Sequence, residues 1–332
     1  MRFSIILPKN THMLKFLSFT FLTGFLFSCS EPAPEADPFD KILWTADWSP
    51  DGQHIIVGGN TGKLAFISGE DYSITKSVPA PQTVTNTRWY NEGKNVLVTF
   101  QDTDEGSFSF NIDNEVKTPI DSLPPTGSRA VGWNHDHSLF AIGDNEGMLS
   151  IFNAEGRLLK KLEGDPKSIT GLDWHPTENI ITIVGSRIGI YDDESDSLNY
   201  IIPRDKEVLM LCVDWHPSGD FFVTGDYGDY DLGLPSMLQF WDSSGSKIKD
   251  VKGMKSEIRN VRWSQNGEHL AVASNMAYLY DYNGTMIRQN DFGSQLWGID
   301  WDPDDSRLVT TTQNGFVYFL SDKLKVVKMI TL

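Results

Sequence analysis

The sequence has 332 residues, and its 45 acidic side chains against 28 basic ones give a formal net charge of −17 at pH 7. Binding of nucleic acid needs a basic surface that replaces the counterions of the phosphates, so this charge balance argues against a nucleic-acid partner. Only 2 cysteines are present, Cys29 and Cys212, and Cys29 belongs to a predicted targeting segment, so the fold has to be held by burial and not by an internal disulfide.

The first 28 residues have the organisation of a secretory signal peptide. Lys15 precedes an uncharged apolar run of 12 residues, Phe16–Phe27, which is too short for a transmembrane helix of roughly 20 residues. The run ends in the sequence LFSC, which resembles the lipobox of bacterial lipoproteins. The resemblance implies that residues 1–28 are removed and that Cys29 carries a diacylglycerol on its sulfur. Met13 begins a compact signal of its own, so translation is expected to start there. A plain secretory signal with a chance cysteine is the alternative to lipidation.

Residues 29–41 are predicted to form a tether between the lipid and the folded domain. Residues 30–39 contain three prolines, which exclude a ladder strand and stiffen the linker. Ser30 follows Cys29 at the position where an aspartate would resemble the inner-membrane retention signal of some lipoproteins, so an outer-membrane anchor is favoured. The acids of the tether resemble the surface-export tags of some lineages. The periplasmic face and the cell surface therefore both stay open.

Seven tryptophans mark a repeat in the rest of the chain. An apolar stretch ends at each tryptophan, and a turn rich in Pro, Asp, Asn and Gly follows, as in ADWSPDG and VDWHPSG. Two further apolar stretches come next in every copy, whereas a fourth is weaker, as expected of an outer edge strand. The interval of 38 to 48 residues is the period of a β-propeller blade. The repeated tryptophans, which we expect to pack between blades, are Trp48, Trp89, Trp133, Trp174, Trp215, Trp263 and Trp301.

This pattern predicts an all-β fold, a seven-bladed β-propeller with four antiparallel strands per blade, over residues 42–332. A closed ring is needed because a single blade cannot cover both faces of its own sheet. Cys212 falls in the first strand of blade five and is predicted to be a small buried side chain.

Several third strands resemble the WD-repeat β-propeller family. The best copy is LQFWD at Leu238–Asp242, and softened copies occur at Ile190–Asp192 and Leu279–Asp281. The Gly-His dipeptide that usually opens the family's repeat is missing from every copy, so the family's polar networks are not carried over to this chain. Members often close the ring with strands from both chain ends, but the proline-rich tether cannot supply one. Blade seven is therefore expected to complete itself with the C-terminal sequence LKVVKMITL.

The residue directly before each tryptophan predicts contacts between neighbouring blades. Asp47 and Arg88 occupy this position in blades one and two. Arg262 occupies it in blade six, between Asp214 of blade five and Asp300 of blade seven. We interpret these residues as inter-blade ion pairs, which set register more reliably than they add stability. A ligand-binding ring is the alternative.

The position four residues before the tryptophan is more varied and predicts a binding surface. It holds Trp44, Arg129, Arg259 and Trp297 in four of the blades. Tryptophan and arginine are the side chains most enriched in binding hot spots, so we interpret these four as candidate partner contacts. The alternative is that Trp44 and Trp297 plug the seam between blades one and seven.

Other motifs carry weaker signals. Blade five contains an insertion, Gly225–Ser236, in which Tyr227 and Tyr230 alternate with aspartates. Its spacing does not match a calcium loop, and a partner contact is preferred. The signatures GxSxG, HExxH and CxxC are absent, GGNTGK at 58–63 lacks the spacing of a phosphate loop, and His135–His137 fall in a predicted exposed turn. We therefore predict no catalytic residue, no metal and no cofactor.

These predictions favour a lipid-anchored scaffold whose propeller binds a protein or peptide partner and has no enzyme activity. Two other functions stay open, because a propeller fold does not by itself define a function. One is a cell-envelope hydrolase or lyase that acts on glycans or peptides, with the ring of Asp and Arg as its candidate site. The other is a subunit of an outer-membrane assembly complex.

Overall fold

A computed structural model describes residues 41–80, 82–101 and 106–332. The predicted signal peptide, Cys29 and the predicted tether up to residue 40 lie outside the described residues. The described chain forms seven sheets of four antiparallel strands, and the strands of each sheet are consecutive in sequence. The prediction of an all-β, seven-bladed β-propeller is therefore confirmed. Within the described ranges, no helix is long and apolar enough to cross a membrane.

The strands of the first four blades are as follows. Blade one consists of β1 (Leu43–Trp48), β2 (His54–Gly59), β3 (Lys63–Ser68) and β4 (Ile74–Pro79). Blade two consists of β5 (Val84–Tyr90), β6 (Asn95–Phe100), β7 (Phe108–Asn111) and β8 (Lys117–Pro119). Blade three consists of β9 (Ser128–Trp133), β10 (Leu139–Asp144), β11 (Met148–Asn153) and β12 (Leu158–Glu163). Blade four consists of β13 (Gly171–Trp174), β14 (Ile180–Val184), β15 (Ile188–Asp192) and β16 (Ser197–Ile201).

The last three blades continue in the same order. Blade five consists of β17 (Met210–Trp215), β18 (Phe221–Asp226), β19 (Leu238–Asp242) and β20 (Lys247–Val251). Blade six consists of β21 (Asn260–Trp263), β22 (His269–Ala273), β23 (Ala277–Asp281) and β24 (Met286–Asn290). Blade seven consists of β25 (Leu296–Trp301), β26 (Arg307–Thr312), β27 (Phe316–Ser321) and β28 (Val326–Thr331).

Burial decreases from the inner strands of each blade to the outermost one. In β2 every residue from Ile55 to Gly59 is buried, because the neighbouring blades cover both faces of the sheet. The outermost strands are largely exposed, as in β4, which contains Lys76 and Pro79. Lysine and proline on an exposed edge discourage pairing with strands of other molecules. The fourth strand therefore need not follow an apolar pattern, which makes it the hardest strand to identify in the sequence.

The ring closes between blades seven and one. β1 packs against β25, the Trp48 N–H donates to Asp300 Oδ2 at 2.7 Å, and Thr311 Oγ1 donates to the Leu43 carbonyl oxygen at 2.8 Å. β28 pairs with β27, so the C-terminal sequence completes blade seven as predicted. Closure leaves neither blade one nor blade seven with an uncovered apolar face.

The seven repeated tryptophans lie at the ends of the first strands and pack towards the preceding blade. The ring of Trp263, for example, lies 5.6 Å from that of Phe221 and 6.2 Å from that of Phe240, both of blade five. Six of the seven tryptophans are only 3–5% exposed. Trp133 is half-buried and stacks on Tyr90 at 4.4 Å, beside the short outer strands of blade two.

Candidate functional site

The first strands of the blades line a central channel whose two ends differ in chemistry. We call the end at which these strands begin the upper mouth, and the end at which they reach the tryptophans the lower mouth. The upper mouth leads into a cavity of about 90 Å³, lined by residues of all seven blades. Pockets for small molecules usually measure roughly 300–1,000 Å³. This cavity therefore has room for the end of a side chain but not for a whole cofactor.

β-Bulges at the start of the first strands release particular side chains from the regular ladder. In blade one, Leu43 and Thr45 pair with consecutive residues of β2, so Trp44 has no partner in the ladder. The same kind of irregularity omits Arg129 between β9 and β10 and Trp297 between β25 and β26. A bulge re-aims the side chain of the extra residue. All three of these side chains line the cavity.

The four residues predicted as partner contacts form one stacked group at the upper mouth. The ring centroids of Trp44 and Trp297 are 4.7 Å apart. The guanidinium carbon of Arg259 lies 3.9 Å from the Trp297 ring centroid, and that of Arg129 lies 5.5 Å from the Trp44 ring centroid. We call these four residues the upper stack. It joins blades three, one, seven and six, and its geometry is that of cation–π contacts.

Several polar atoms of the upper stack have no partner in the described parts of the chain. The indole N–H groups of Trp44 and Trp297 are buried there without a hydrogen-bond acceptor. The whole Trp297 side chain is only 9% exposed. Arg259 forms an ion pair with Glu257 at 2.5 Å, but its Nε is also unpartnered. Arg129 donates from Nε to Gln101 Oε1 at 2.9 Å. Burial and the nearby positive charge of Arg259 both lower the pKa of Arg129.

The insertion of blade five extends the upper stack on one side. The Tyr227 ring centroid lies 5.5 Å from the guanidinium carbon of Arg259, and Tyr227 is 43% exposed. Tyr230 belongs to the same insertion and is 49% exposed. At the base of the insertion Asp226 is fully buried and forms an ion pair with Arg204 at 2.9 Å. The insertion thus has a fixed base and an exposed aromatic tip.

Other residues of the same register hold the blades together. Thr85 Oγ1 donates to the Ser128 carbonyl oxygen at 2.6 Å, and Thr170 Oγ1 donates to the Met210 carbonyl oxygen at 2.6 Å. Both threonines bridge to the next blade. The side chains available to a partner are therefore concentrated on blades one, three, six and seven, with the insertion of blade five beside them.

A repeated hydrogen bond surrounds the lower mouth. In four blades the aspartate before the tryptophan accepts the backbone N–H of the tryptophan in the next blade. The donor–acceptor pairs are Trp89 with Asp47 at 3.0 Å, Trp215 with Asp173 at 2.7 Å, Trp263 with Asp214 at 2.6 Å and Trp48 with Asp300 at 2.7 Å. These aspartates therefore connect the first strands of adjacent blades. This role was not predicted, although the recurring Asp-Trp dipeptide is its signal in the sequence.

The structure also brings together the charged residues predicted to pair at this end. Arg88 lies 3.6 Å from Asp47. Arg262 lies 2.9 Å from Asp214 and 3.6 Å from Asp300. Each arginine thus bridges first strands of neighbouring blades.

Burial perturbs the titration of this ring of carboxylates. Burial raises the pKa of Asp47 and of Asp173 to about 6, against the lowering effect of Arg88 and of the backbone hydrogen bonds. It raises the pKa of Asp214 and of Asp300 well above the ordinary value, and neighbouring aspartates add to the effect. Two arginines face four carboxylates here, so the ring favours partial protonation near neutral pH. Raised pKa values occur both in active sites and in structural ion-pair networks.

The remaining candidate motifs occupy structural positions. GGNTGK forms the hairpin between β2 and β3, and His135 and His137 are exposed. Cys212 is buried and donates weakly to the Ile258 carbonyl oxygen at 3.5 Å. Across the ranges that the structure describes, no group of three or more His, Cys, Asp or Glu side chains is placed to hold a metal ion.

Comparison with known proteins identifies similarity to WD-repeat proteins. The model of the family "WD domain, G-beta repeat" matches residues 204–231, which lie in blade five. Echinoderm microtubule-associated protein-like 3 of Mus musculus is 26% identical over 161 residues, and the Homo sapiens protein of that name is equally similar. WD repeat-containing protein slp1 of Schizosaccharomyces pombe is 24% identical over 200 residues.

These alignments cover part of each protein. They span 46% and 56% of this chain, but only 17% of the mouse protein and 38% of slp1. The chain therefore corresponds to less than half the length of these relatives. Together with the seven blades, the match supports a WD-repeat-like β-propeller.

Proposed function

We propose that this protein is a lipid-anchored scaffold that binds a protein partner at the upper mouth of its propeller and has no catalytic activity of its own. The observation that carries the proposal is the upper stack, in which two tryptophans and two arginines from four blades contact one another around the cavity. Its two indole N–H groups also have no acceptor among the described residues. Buried polar groups of folded proteins are normally paired. Tryptophan, tyrosine and arginine dominate binding hot spots. A bound partner would supply hydrogen-bond acceptors to the indole N–H groups and would cover the aromatic rings.

The similarity to WD-repeat proteins supports the general class of function. One relative is named as a microtubule-associated protein and another as a WD repeat-containing protein. Because the matches cover only part of those proteins, we carry over the role of a protein-binding platform and neither partner nor pathway. The small cavity at the upper mouth agrees with this role, since it admits a side chain of a partner and excludes a drug-sized ligand.

The proposed anchor is a diacylglycerol on Cys29, in the outer membrane. It rests on the lipobox resemblance and on Ser30 after the cysteine. The segment from Ser30 to Lys41 reaches at most about 40 Å when extended, and it enters β1 at the upper end of blade one. A partner at the upper mouth is then held near the membrane, on the periplasmic face or at the cell surface.

Affinity capture from detergent-solubilised membranes tests the proposal. We expect a reproducible set of co-purifying proteins with the wild type and its loss with Trp44→Ser. Tyr282→Ser is the matched control, because Tyr282 is 58% exposed and lies beyond the lower end of β23. Equal capture by both variants contradicts binding at the upper mouth. If the captured proteins are components of an outer-membrane assembly complex, the scaffold belongs to that complex.

A cell-envelope hydrolase or lyase is the second candidate function. It is favoured by the raised pKa values of Asp47 and Asp173 near two arginines, which is the type of environment that tunes a general acid. Against it, each aspartate of the ring already accepts a backbone N–H from the next blade. Incubation with cell-wall glycan fragments and a peptide library decides between the two, since cleavage that is lost in Asp47→Asn and Asp173→Asn supports the enzyme.

A further inference from the structure

The charge of the upper cavity is opposite to that of the protein. Among the described residues, the 16 that line the cavity include four arginines and no aspartate or glutamate, in a chain with 45 acidic and 28 basic side chains. A lining with the average composition of this sequence would contain more acidic than basic side chains. The lining of the upper mouth is therefore rich in basic side chains.

Three of the four arginines have acidic partners. Arg88 and Arg262 are paired with aspartates of the lower mouth, and Arg259 is paired with Glu257. For Arg129, by contrast, no carboxylate lies within ion-pair distance among the described residues. Its side chain instead contacts the amide oxygen of Gln101 and the ring of Trp44. A partly buried guanidinium that lacks a counter-charge is costly unless a ligand supplies one.

The neutral donors around Arg129 point to the same kind of ligand. Trp297 is 91% buried, lines the cavity and has an indole N–H with no acceptor within the described chain. The Trp44 indole N–H and Arg259 Nε are likewise buried without an acceptor within the described chain. These three donors lack acceptors within the described chain, and a ligand that brings acceptor atoms can satisfy them.

We propose that the upper mouth binds the anionic side chain of an extended peptide segment of the partner, with Arg129 as its counter-charge and the indole N–H groups as additional donors. This inference rests on the proposed function and adds the chemical class of the ligand. A carboxylate matches the planar fork of a guanidinium, with which it forms two parallel hydrogen bonds. A phosphorylated side chain offers the same chemistry, and the experiment separates the two sources.

The negative charge of the whole protein does not prevent such binding. At physiological ionic strength, charges further apart than about 8 Å are largely screened. Arg88, Arg259 and Arg262 are compensated by neighbouring acids, so the positive charge offered to a ligand is that of Arg129, and the remote acidic surface has little effect on it. The cavity of about 90 Å³ accepts one acidic side chain at a time, and the rings of Trp44 and Tyr227 remain for the flanking residues of the peptide.

Fluorescence anisotropy with the purified chain and labelled peptides at 150 mM salt tests the inference. The probes are hexaglutamate, hexaglutamine and a hexapeptide with one phosphoserine. We expect hexaglutamate to bind and hexaglutamine not to bind, and Arg129→Gln to lower the hexaglutamate affinity at least tenfold. Arg129→Lys, which keeps the charge but loses the fork, is expected to fall in between. Arg157→Gln is the matched control, since it removes the same charge from an exposed site of blade three and is expected to change nothing.

The outcomes are distinguishable. Equal hexaglutamate binding by Arg129→Gln and Arg157→Gln overturns the inference, and so does equal binding of hexaglutamate and hexaglutamine. Tighter, Arg129-dependent binding of the phosphoserine peptide supports the anion site and assigns it to phosphate.

Gln101 is followed in sequence by Asp102, Asp104 and Glu105, so these acids are also replaced by their amides. A tenfold gain in hexaglutamate affinity on that change would assign the site to the protein's own segment and overturn binding of a partner. Membrane capture that depends on Trp44, without hexaglutamate binding, leaves the scaffold function standing and removes only this inference.

Discussion

Replacement of Asp173 by asparagine should make the propeller more stable at neutral pH and should have a clearly smaller effect at pH 4.5. Burial raises the pKa of Asp173 from 3.8 to about 6 in the folded protein. Between these two values the folded state binds more protons than the unfolded state, so the contribution of Asp173 to the free energy of unfolding falls as the pH rises. Above pH 6 the loss is complete. Asparagine carries no charge to bury, and its Oδ1 can still accept the Trp215 N–H, which lies 2.7 Å from the Asp173 carboxylate.

The size of the effect follows from the pKa change. One pKa unit corresponds to about 1.4 kcal/mol, so the rise from 3.8 to about 6 corresponds to a stabilisation of about 3 kcal/mol at pH 7.5 from Asp173 itself. The charge of Asp173 also raises the pKa of Asp214, so its removal relieves a second carboxylate in the same direction. Denaturant unfolding at pH 4.5 and pH 7.5 measures the difference between variant and wild type.

The control for this experiment is Asp136→Asn. Asp136 is exposed, and hydrogen bonds from Ser138 lower its pKa, so its replacement should give no gain in stability at pH 7.5. The reasoning is refuted if the advantage of Asp173→Asn is the same at both pH values, or if it is larger at pH 4.5.

Three further predictions concern the anchor, the ring and the upper stack. Cys29→Ala should release the protein from membranes or leave an uncut precursor, and fatty-acid label that persists on this variant would contradict lipidation at Cys29. Truncation after Gln295 removes β25–β28 and should abolish cooperative unfolding, because it uncovers an apolar face on blades one and six; a truncated chain that melts near the parent temperature argues against a closed ring. Trp297→Ser should cost about 3 kcal/mol of stability, since Trp297 is only 9% exposed. Trp44→Ser should mainly weaken capture of the partner, with little loss of stability. If Trp44→Ser instead lowers the free energy of unfolding strongly and the remaining folded protein still captures the partner, Trp44 belongs to the core.

The fold was predictable because every blade repeats the same physical requirement. A tryptophan and a polar turn end each first strand, and the buried inner strands are nearly continuous apolar runs, as in β2 and β10. The fourth strands of blades two, four, five and six escaped identification. β8 is short and fully exposed, and β24 is mostly exposed, so neither is required to be apolar.

The candidate site was predictable in part. Alignment on the tryptophans selected Trp44, Arg129, Arg259 and Trp297. The position four residues before each tryptophan varies between blades, whereas the neighbouring core positions are mostly apolar. The bulges that omit Trp44 and Arg129 from their ladders depend on strand register, which composition does not reveal. Likewise, whether a carboxylate lies within ion-pair distance of Arg129, which is not the case among the described residues, depends on the three-dimensional surroundings of its side chain. The aspartates of the lower mouth were expected to pair with arginines, but their hydrogen bonds to the next blade's backbone follow only from the ring geometry.

The central claim is that a protein partner occupies the upper mouth, and site-specific photo-crosslinking in intact cells tests it most directly. A photoreactive phenylalanine analogue replaces Tyr227, which lies beside Arg259 and is 43% exposed, or Tyr282, which is 58% exposed beyond the lower end of β23. The account predicts a discrete crosslinked protein from position 227, lost when Arg129→Gln is added, and none from position 282. Equal products from both positions, or products from position 282 alone, would contradict it.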